Sequence, residues 1–167
     1  IIGMGRIGQA VAKRATGFEM RIIYYNDPSL SQKLPFEARE VSLKTLLQEA
    51  DIITLHLPLT KETFHLISKE EFALMKESAV LINTSRGAVI EEKELIKALK
   101  TKRIFAAGLD VYENEPDIPQ ELLALENVVL LPHIGSASIE TRTKMALLAA
   151  ENAIAVLEGR RPPARVN

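Results

Sequence analysis

The sequence contains no cysteine, which excludes a disulfide framework, a thiolate zinc site and a cysteine nucleophile. It also lacks a charge excess of either sign: 21 Lys and Arg stand against 22 Asp and Glu, a net charge of −1. Binding to nucleic acid or to an anionic membrane surface needs a basic surplus, so neither partner is expected. Every apolar run falls short of the ~18–20 residues that span a bilayer, and no signal-peptide pattern opens the chain. A reducing cytoplasm fits the lack of cysteine and is the expected location. No short-period repeat or low-complexity stretch is present. What remains is ordinary globular composition, 47% apolar and 26% charged over 167 residues, enough for one domain with a real core.

The chain reads as one domain, residues 1–167, excised from a longer polypeptide. Ile1-Ile2 runs straight into Gly3, as the last residues of a strand do, and no initiator Met precedes it. At the other end a long helical segment stops at Gly159 and is followed by Pro162-Pro163, both helix-stop signals. Between these ends apolar strands alternate with helices. Six strands are expected: Ile1-Ile2, Met20–Tyr25, Asp51–Leu57, Ala79–Asn83, Ile104–Leu109 and Val128–Leu131. Helices are expected from Arg6 to about Gly17, over Leu43–Ala50 behind Ser42, and from the Ser68-Lys69-Glu70-Glu71 capping box to about Met75. Further helices follow over Glu91–Lys100, Gln120–Leu125 and Ser138–Glu158. Continuous apolar strands separated by helices predict an α/β fold, a doubly wound, mostly parallel Rossmann-type sheet with helices on both faces.

In such a sheet the loops after the strands share the carboxyl edge, where open α/β sheets bind ligands. The unusual polar residues of this sequence all fall there. Gly3-Met4-Gly5-Arg6-Ile7-Gly8 follows the first strand and matches G-x-G-x-x-G. Its first glycine permits a tight turn, its second lets backbone approach a pyrophosphate, and its third lets helix and strand pack closely. No Gly-Lys-Ser/Thr follows, which excludes a P-loop. Asn26-Asp27 ends the second strand, with 17 residues between Gly8 and Asn26, where an acidic residue gripping the ribose of NAD is expected. Asn26 removes the carboxylate that would repel a 2′-phosphate, while Asp27 restores one next to it. No Arg lies within residues 26–32 and Lys33 is the next base along the chain, so NAD is favoured over NADP. His56, Pro58, Thr84, Asp110 and Gly135 sit at other strand ends and are candidate cofactor contacts.

Three residues at the same edge can carry chemistry. His133, in PHIG, can donate a proton near neutral pH. Glu115, in ENEP, would favour the protonated form of an adjacent histidine. Arg86, in TSRG, can bind a carboxylate with two parallel hydrogen bonds. His56 suits a partly buried strand position, and His65 is expected to face solvent from a loop. No histidine pair has metal-ligand spacing, so no metal is expected. Ser85 lacks a G-x-S-x-G elbow, which argues against hydrolase chemistry. The Glu91-Glu92-Lys93-Glu94 and Lys97-to-Arg103 charge clusters read as helix surface.

GMGRIG, HLPLT, LINTSRGAVI, AGLDVYENEP and LPHIGSAS, in that order, resemble the D-isomer-specific 2-hydroxyacid dehydrogenases, and the resemblance covers essentially the whole chain as their coenzyme-binding domain. It implies hydride transfer between a nicotinamide cofactor and a small 2-hydroxy or 2-keto acid. By the same resemblance Arg86 holds the substrate carboxylate, His133 is the general acid/base and Glu115 its partner. Asp110 lies near the nicotinamide carboxamide, and Gly3, Gly5 and Gly8 bind pyrophosphate with backbone contacts from Arg6 and Ile7. The YYNDP and GSAS segments look more similar to glyoxylate/hydroxypyruvate reductases than to D-3-phosphoglycerate dehydrogenases. Asn26 departs from the family's common acidic residue. The resemblance further implies a homodimer and a substrate domain outside this segment, without which the domain alone should turn over poorly. An NADH-sensing corepressor with a similar Arg, Glu and His is the alternative of another class. A hydrolase with tightly held NAD is a third, which the ordered Arg, Glu and His oppose.

Overall fold

The computed structural model describes residues 1–26 and 34–165. It comprises two bodies, Ile1–Pro132 and a second that begins at His133. Among the described residues no helix is long and apolar enough to cross a membrane.

The first body is built on parallel strands. Strands β3 (Ile52–Leu55), β4 (Val80–Asn83), β5 (Ala106–Leu109) and β6 (Val128–Leu130) form a four-stranded sheet in sequence order. Strands β1 (Ile23–Tyr24) and β2 (Arg39–Glu40) form a second parallel pair. Ile2 joins the two through parallel bridges to Tyr25 and to Leu55. The resulting order, β2-β1-Ile2-β3-β4-β5-β6, is that of a doubly wound sheet whose connections reverse direction at Ile2.

The strand inventory therefore differs from the expected six in two respects. Ile1-Ile2 contributes a single bridging residue instead of a strand. Arg39–Glu40 adds a strand that the sequence pattern hides, because both residues are charged and exposed. An edge strand of two polar residues carries no apolar run to betray it.

Adjacent residues show why both faces of the sheet need cover. Ile2 and Ile23 belong to the main core cluster, whereas Ile1 and Ile22 pack with Met4 and Ala12 in a second one. Successive strand residues point to opposite faces. Ala12 belongs to helix α1 (Arg6–Ala15), which thus covers the second cluster. Helices α2 (Leu43–Glu49), α3 (Lys69–Leu74) and α4 (Glu92–Lys100) pack side by side and bury Leu46, Leu47, Phe72, Leu95 and Leu99 in the main core. Their starts follow local chemistry. The Ser42 hydroxyl accepts from Thr45 N at 3.1 Å, and Glu71 accepts from both the backbone N (3.0 Å) and Oγ (2.7 Å) of Ser68. Arg103 donates to the carbonyls of Ala73 and Met75, which closes the C-terminal end of α3. A short helix, α5 (Gln120–Leu123), buries Leu122.

The second body is dominated by α6 (Ile139–Leu157), entered through Ser138, whose hydroxyl accepts from Thr141 N at 3.2 Å.

Leu81 lies at the centre of the main core, fully buried on β4. We expect Leu81→Ala to cost about 3 kcal/mol, as lost transfer energy plus a residual cavity. A urea-unfolding midpoint unchanged from wild type would contradict this placement of the core.

Candidate active site

The glycine loop is shaped by what its glycines leave out. Gly3 has φ +93°, and a Cβ there would stand 2.5 Å from the carbonyl oxygen of His56. Gly8 is buried in the first turns of α1, and a Cβ there would stand 2.1 Å from the Gly3 carbonyl oxygen. Neither site tolerates a side chain. Gly5 is different: a Cβ there would meet nothing within 4 Å. Gly3 thus closes against the end of β3 and Gly8 against the loop's own backbone, while Gly5 leaves open space over the start of α1. That helix has no acidic residue in its first turn and carries Lys13 and Arg14 in its last. Its free N–H groups and macrodipole favour an anion beside Gly5. Arg6 and Ile7 lie exposed on the same first turn.

Asn26 is buried just past β1, and its Oδ1 accepts from Met4 N at 3.1 Å. Its amide braces the glycine loop from the side where a ribose contact is expected. Asp27 and Lys33 lie outside the described residues. His56 is half-buried, with Nε2 3.0 Å from Thr54 Oγ1, and burial pushes its pKa down towards the neutral ring. The Pro58 carbonyl accepts from Thr63 Oγ1 at 2.6 Å, which fixes the turn after β3. Thr84 is exposed just past β4.

The segment carrying Arg86 is organised by Asn83, a residue whose role the sequence did not reveal. Asn83 is 1% exposed. Its Oδ1 accepts from Ser85 N (3.0 Å) and Ser85 Oγ (2.9 Å), and its Nδ2 donates to Arg86 O (2.9 Å). The exposed Arg86 side chain also donates through Nη1 to Ser85 O at 2.7 Å.

Gly87 then brings two loops together. A Cβ on it would lie 1.9 Å from the carbonyl carbon and oxygen of Tyr112 and 2.5 Å from Glu113 N. The glycine is required by this close approach, which sets the TSRG turn directly on the loop after β5. In that loop Asp110 is buried, and its N–H donates to Asn83 O at 2.9 Å, extending the β4–β5 pairing. Glu115 Oε1 accepts from Tyr112 N at 3.0 Å. Tyr112 Oη donates to Leu131 O at 2.7 Å, tying the same loop to the end of β6. Arg86 and Glu115 are thus carried on two segments in direct contact.

His133 opens the second body with φ +53°, an unusual backbone state for a residue other than glycine, and Gly135 follows it.

Two expectations need correction. His65 does not face solvent: its side chain is 27% exposed and its Nε2 lies 3.0 Å from Glu113 Oε1. Glu92 is not helix surface: it is 8% exposed at the start of α4, and burial pushes its carboxyl pKa up. Glu92 and Glu113 cap each other's backbone N–H groups at 3.3 and 3.4 Å. No local pattern encodes these pairings, which span 48 and 21 residues. Among the described residues no group of three or more His, Asp or Glu is arranged to hold a metal ion.

The open space over Gly5, the two filled glycine positions and the buried Asn26 brace fit a dinucleotide laid across this edge.

Comparison with known proteins agrees with that fit. Residues 1–135 match the family described as D-isomer specific 2-hydroxyacid dehydrogenase, NAD binding domain. A glyoxylate reductase of Thermococcus litoralis is 55% identical over 170 residues, covering 100% of this chain and 51% of that protein. A glyoxylate reductase structure from Paecilomyes thermophila is 42% identical with TM-score 0.91, covering 99% of this chain and 50% of the other. An NADPH-dependent glyoxylate/hydroxypyruvate reductase of Sinorhizobium meliloti, solved with NADP and malonate, is 35% identical with TM-score 0.86, covering 92% and 48%. The chain spans about half the length of these relatives. By these matches the chain belongs to the NAD-binding domain family of the D-isomer specific 2-hydroxyacid dehydrogenases.

Proposed function

We propose that this chain is the cofactor-binding domain of an NAD(P)-dependent reductase of small 2-keto acids, with glyoxylate and hydroxypyruvate as favoured substrates. The observation that carries the reading is the meeting of the Arg86 and Glu115 segments through Gly87, on the sheet edge that also bears the glycine loop. The names of the relatives support the substrate class, and D-3-phosphoglycerate dehydrogenation is the second reading.

A bound nicotinamide supplies hydride exchange with the C2 carbon of the acid. The chain's own residues do the rest. Arg86 takes the substrate carboxylate in its guanidinium fork, which orients C2. His133 gives a proton to the C2 oxygen on reduction and takes it back on oxidation. Glu115 is assigned as the carboxylate partner of that histidine, as the family resemblance implies. The remaining half of the polypeptide is the substrate domain, needed to position the acid and exclude water, so residues 1–167 alone bind cofactor but turn over poorly. The full protein works as a cytoplasmic homodimer.

NAD is the preferred cofactor. Asp27 sets a carboxylate next to Asn26, and no Arg lies between residues 26 and 32 to take a 2′-phosphate. Titration with NADH and NADPH, read by nicotinamide fluorescence, should show NADH bound at least about tenfold tighter, the worth of one charge-assisted hydrogen bond. The opposite order would mean that Asn26 and Asp27 accommodate the phosphate. Binding of neither would remove the dinucleotide reading.

In the full-length enzyme, His133→Ala should lower kcat for glyoxylate by about 10²–10⁴-fold. Arg86→Ala should raise KM by about 10- to 100-fold through the lost charge-assisted bonds. Wild-type rates in the His133 variant would take that residue out of proton transfer.

A further inference from the structure

His65 has no part in the chemistry just described, yet it touches both segments that carry it. Its backbone N–H donates to Ala88 O at 2.8 Å, two residues beyond Arg86. Its side chain meets Glu113 Oε1 at 3.0 Å, two residues before Glu115. The backbone contact belongs to a short parallel pairing: Ile67 N donates to Val89 O, and Glu91 N donates to Ile67 O. The Arg86 side is therefore held by main chain, whereas on the Glu115 side the imidazole joins Glu92 in holding Glu113.

The geometry of His65 is costly and specific. Its φ is +51°, in the left-handed region that disfavours side chains with a Cβ. Such strain persists where surrounding contacts fix it, and it clusters at functional sites. The Phe64 ring stacks on the imidazole at 3.9 Å between centroids and 20° between planes, which sets the direction of Nε2. Glu113 is held from its other oxygen by Glu92 N at 3.3 Å. Its peptide lies against Gly87, and the adjoining Tyr112 N–H holds Glu115 at 3.0 Å. The path from His65 to Glu115 thus runs through Glu113 and the 112–113 peptide without a gap.

We propose that His65 is a positioning residue for Glu115: through Glu113 it fixes the ENEP loop against the Arg86 turn, and so sets the aim of the Glu115 carboxylate. The role rests on the reductase reading above. It predicts a division between kinetic constants. Loss of the imidazole loosens the Glu115 loop but leaves the Arg86 turn on its main-chain pairing and on Asn83.

The test uses the full-length enzyme with glyoxylate. His65→Leu should lower kcat about tenfold, well inside the ~100-fold that a 1 Å misplacement can cost. KM for glyoxylate and Kd for the nicotinamide cofactor should stay within about twofold, since Arg86 and the glycine loop are not touched. His65→Gln, whose amide can still donate to Glu113, should recover most of the rate. Because His65 acts through Glu115, His65→Leu should add nothing in a Glu115→Gln background. Should the leucine variant fail to fold, Glu113→Ala reports on the same path and must also be silent in the Glu115→Gln background. Additive losses, or a rise of KM and cofactor Kd in step with the fall of kcat, would overturn the role and leave His65 as a plain structural tie. A Glu115→Gln enzyme with undiminished kcat would overturn the assignment of Glu115 and His65's role with it. A wild-type enzyme that reduces no 2-keto acid would overturn the function on which both rest.

Discussion

Four main-chain hydrogen bonds around Ile2 hold the two parts of the sheet together, and the site depends on them. Ile2 N donates to Thr54 O and His56 N donates back to Ile2 O; on the other side Gly3 N donates to Tyr25 O and Tyr25 N to Ile1 O. One residue thus serves as a full rail between β1 and β3. The consequence is local and exact in register: Gly3 emerges between His56 and Asn26, the ends of its two neighbours. There the chain must turn at φ +93° with its α-carbon against the His56 carbonyl. A side chain at Gly3 would part the rails, and one at Gly8 would push α1 off the loop. The start of α1, whose N–H groups and dipole favour an anion, is placed by this packing and by the parallel pairing behind it.

Two buried asparagines repeat one solution at two strand ends. A strand that stops at the carboxyl edge leaves backbone groups that neither the ladder nor solvent fully satisfies. Asn26 meets Met4 N, and Asn83 meets Ser85 N, Ser85 Oγ and Arg86 O. An unpaired buried amide would cost about 1–3 kcal/mol, so each asparagine is stable only in the loop shape it satisfies. Each loop shape is then fixed by its asparagine. The two residues at the edge that look least chemical set the direction of those that look most so.

The parts of the fold legible in the sequence are those encoded by neighbours in the chain. Apolar runs marked β3 to β6, Ser42 and Ser68 marked helix starts, and the three glycines marked a loop whose spatial demands the structure bears out at Gly3 and Gly8. The strand Arg39–Glu40 was hidden because an exposed two-residue edge strand needs no apolar pattern. His65, Glu92 and Glu113 were hidden for a different reason. Glu92 lies in a charged run, Glu113 in ENEP and His65 between Phe64 and Leu66, so nothing local marks their contacts, and tertiary pairing makes them. Gly87 was visible as part of TSRG, but the Tyr112 backbone that forbids it a side chain lies 25 positions away in sequence. A local pattern can locate a loop; it cannot name the loop that will pack against it.

The two tasks proposed for the carboxyl edge make opposite demands on the chain, which explains why they are legible to different degrees. Holding a pyrophosphate needs backbone N–H groups and empty space, so its signature is the absence of side chains at fixed spacing. Directing a proton and a carboxylate needs charged side chains with one orientation each, and long side chains lose much rotamer freedom when so held. That freedom is removed by neighbours: Ser85 O for Arg86, Tyr112 N for Glu115, Glu113 for His65. The glycine loop can therefore be read one residue at a time, while Arg86 and Glu115 acquire their geometry only as members of a contact network that closes at Gly87. A change in that network alters how Arg86 and Glu115 are held.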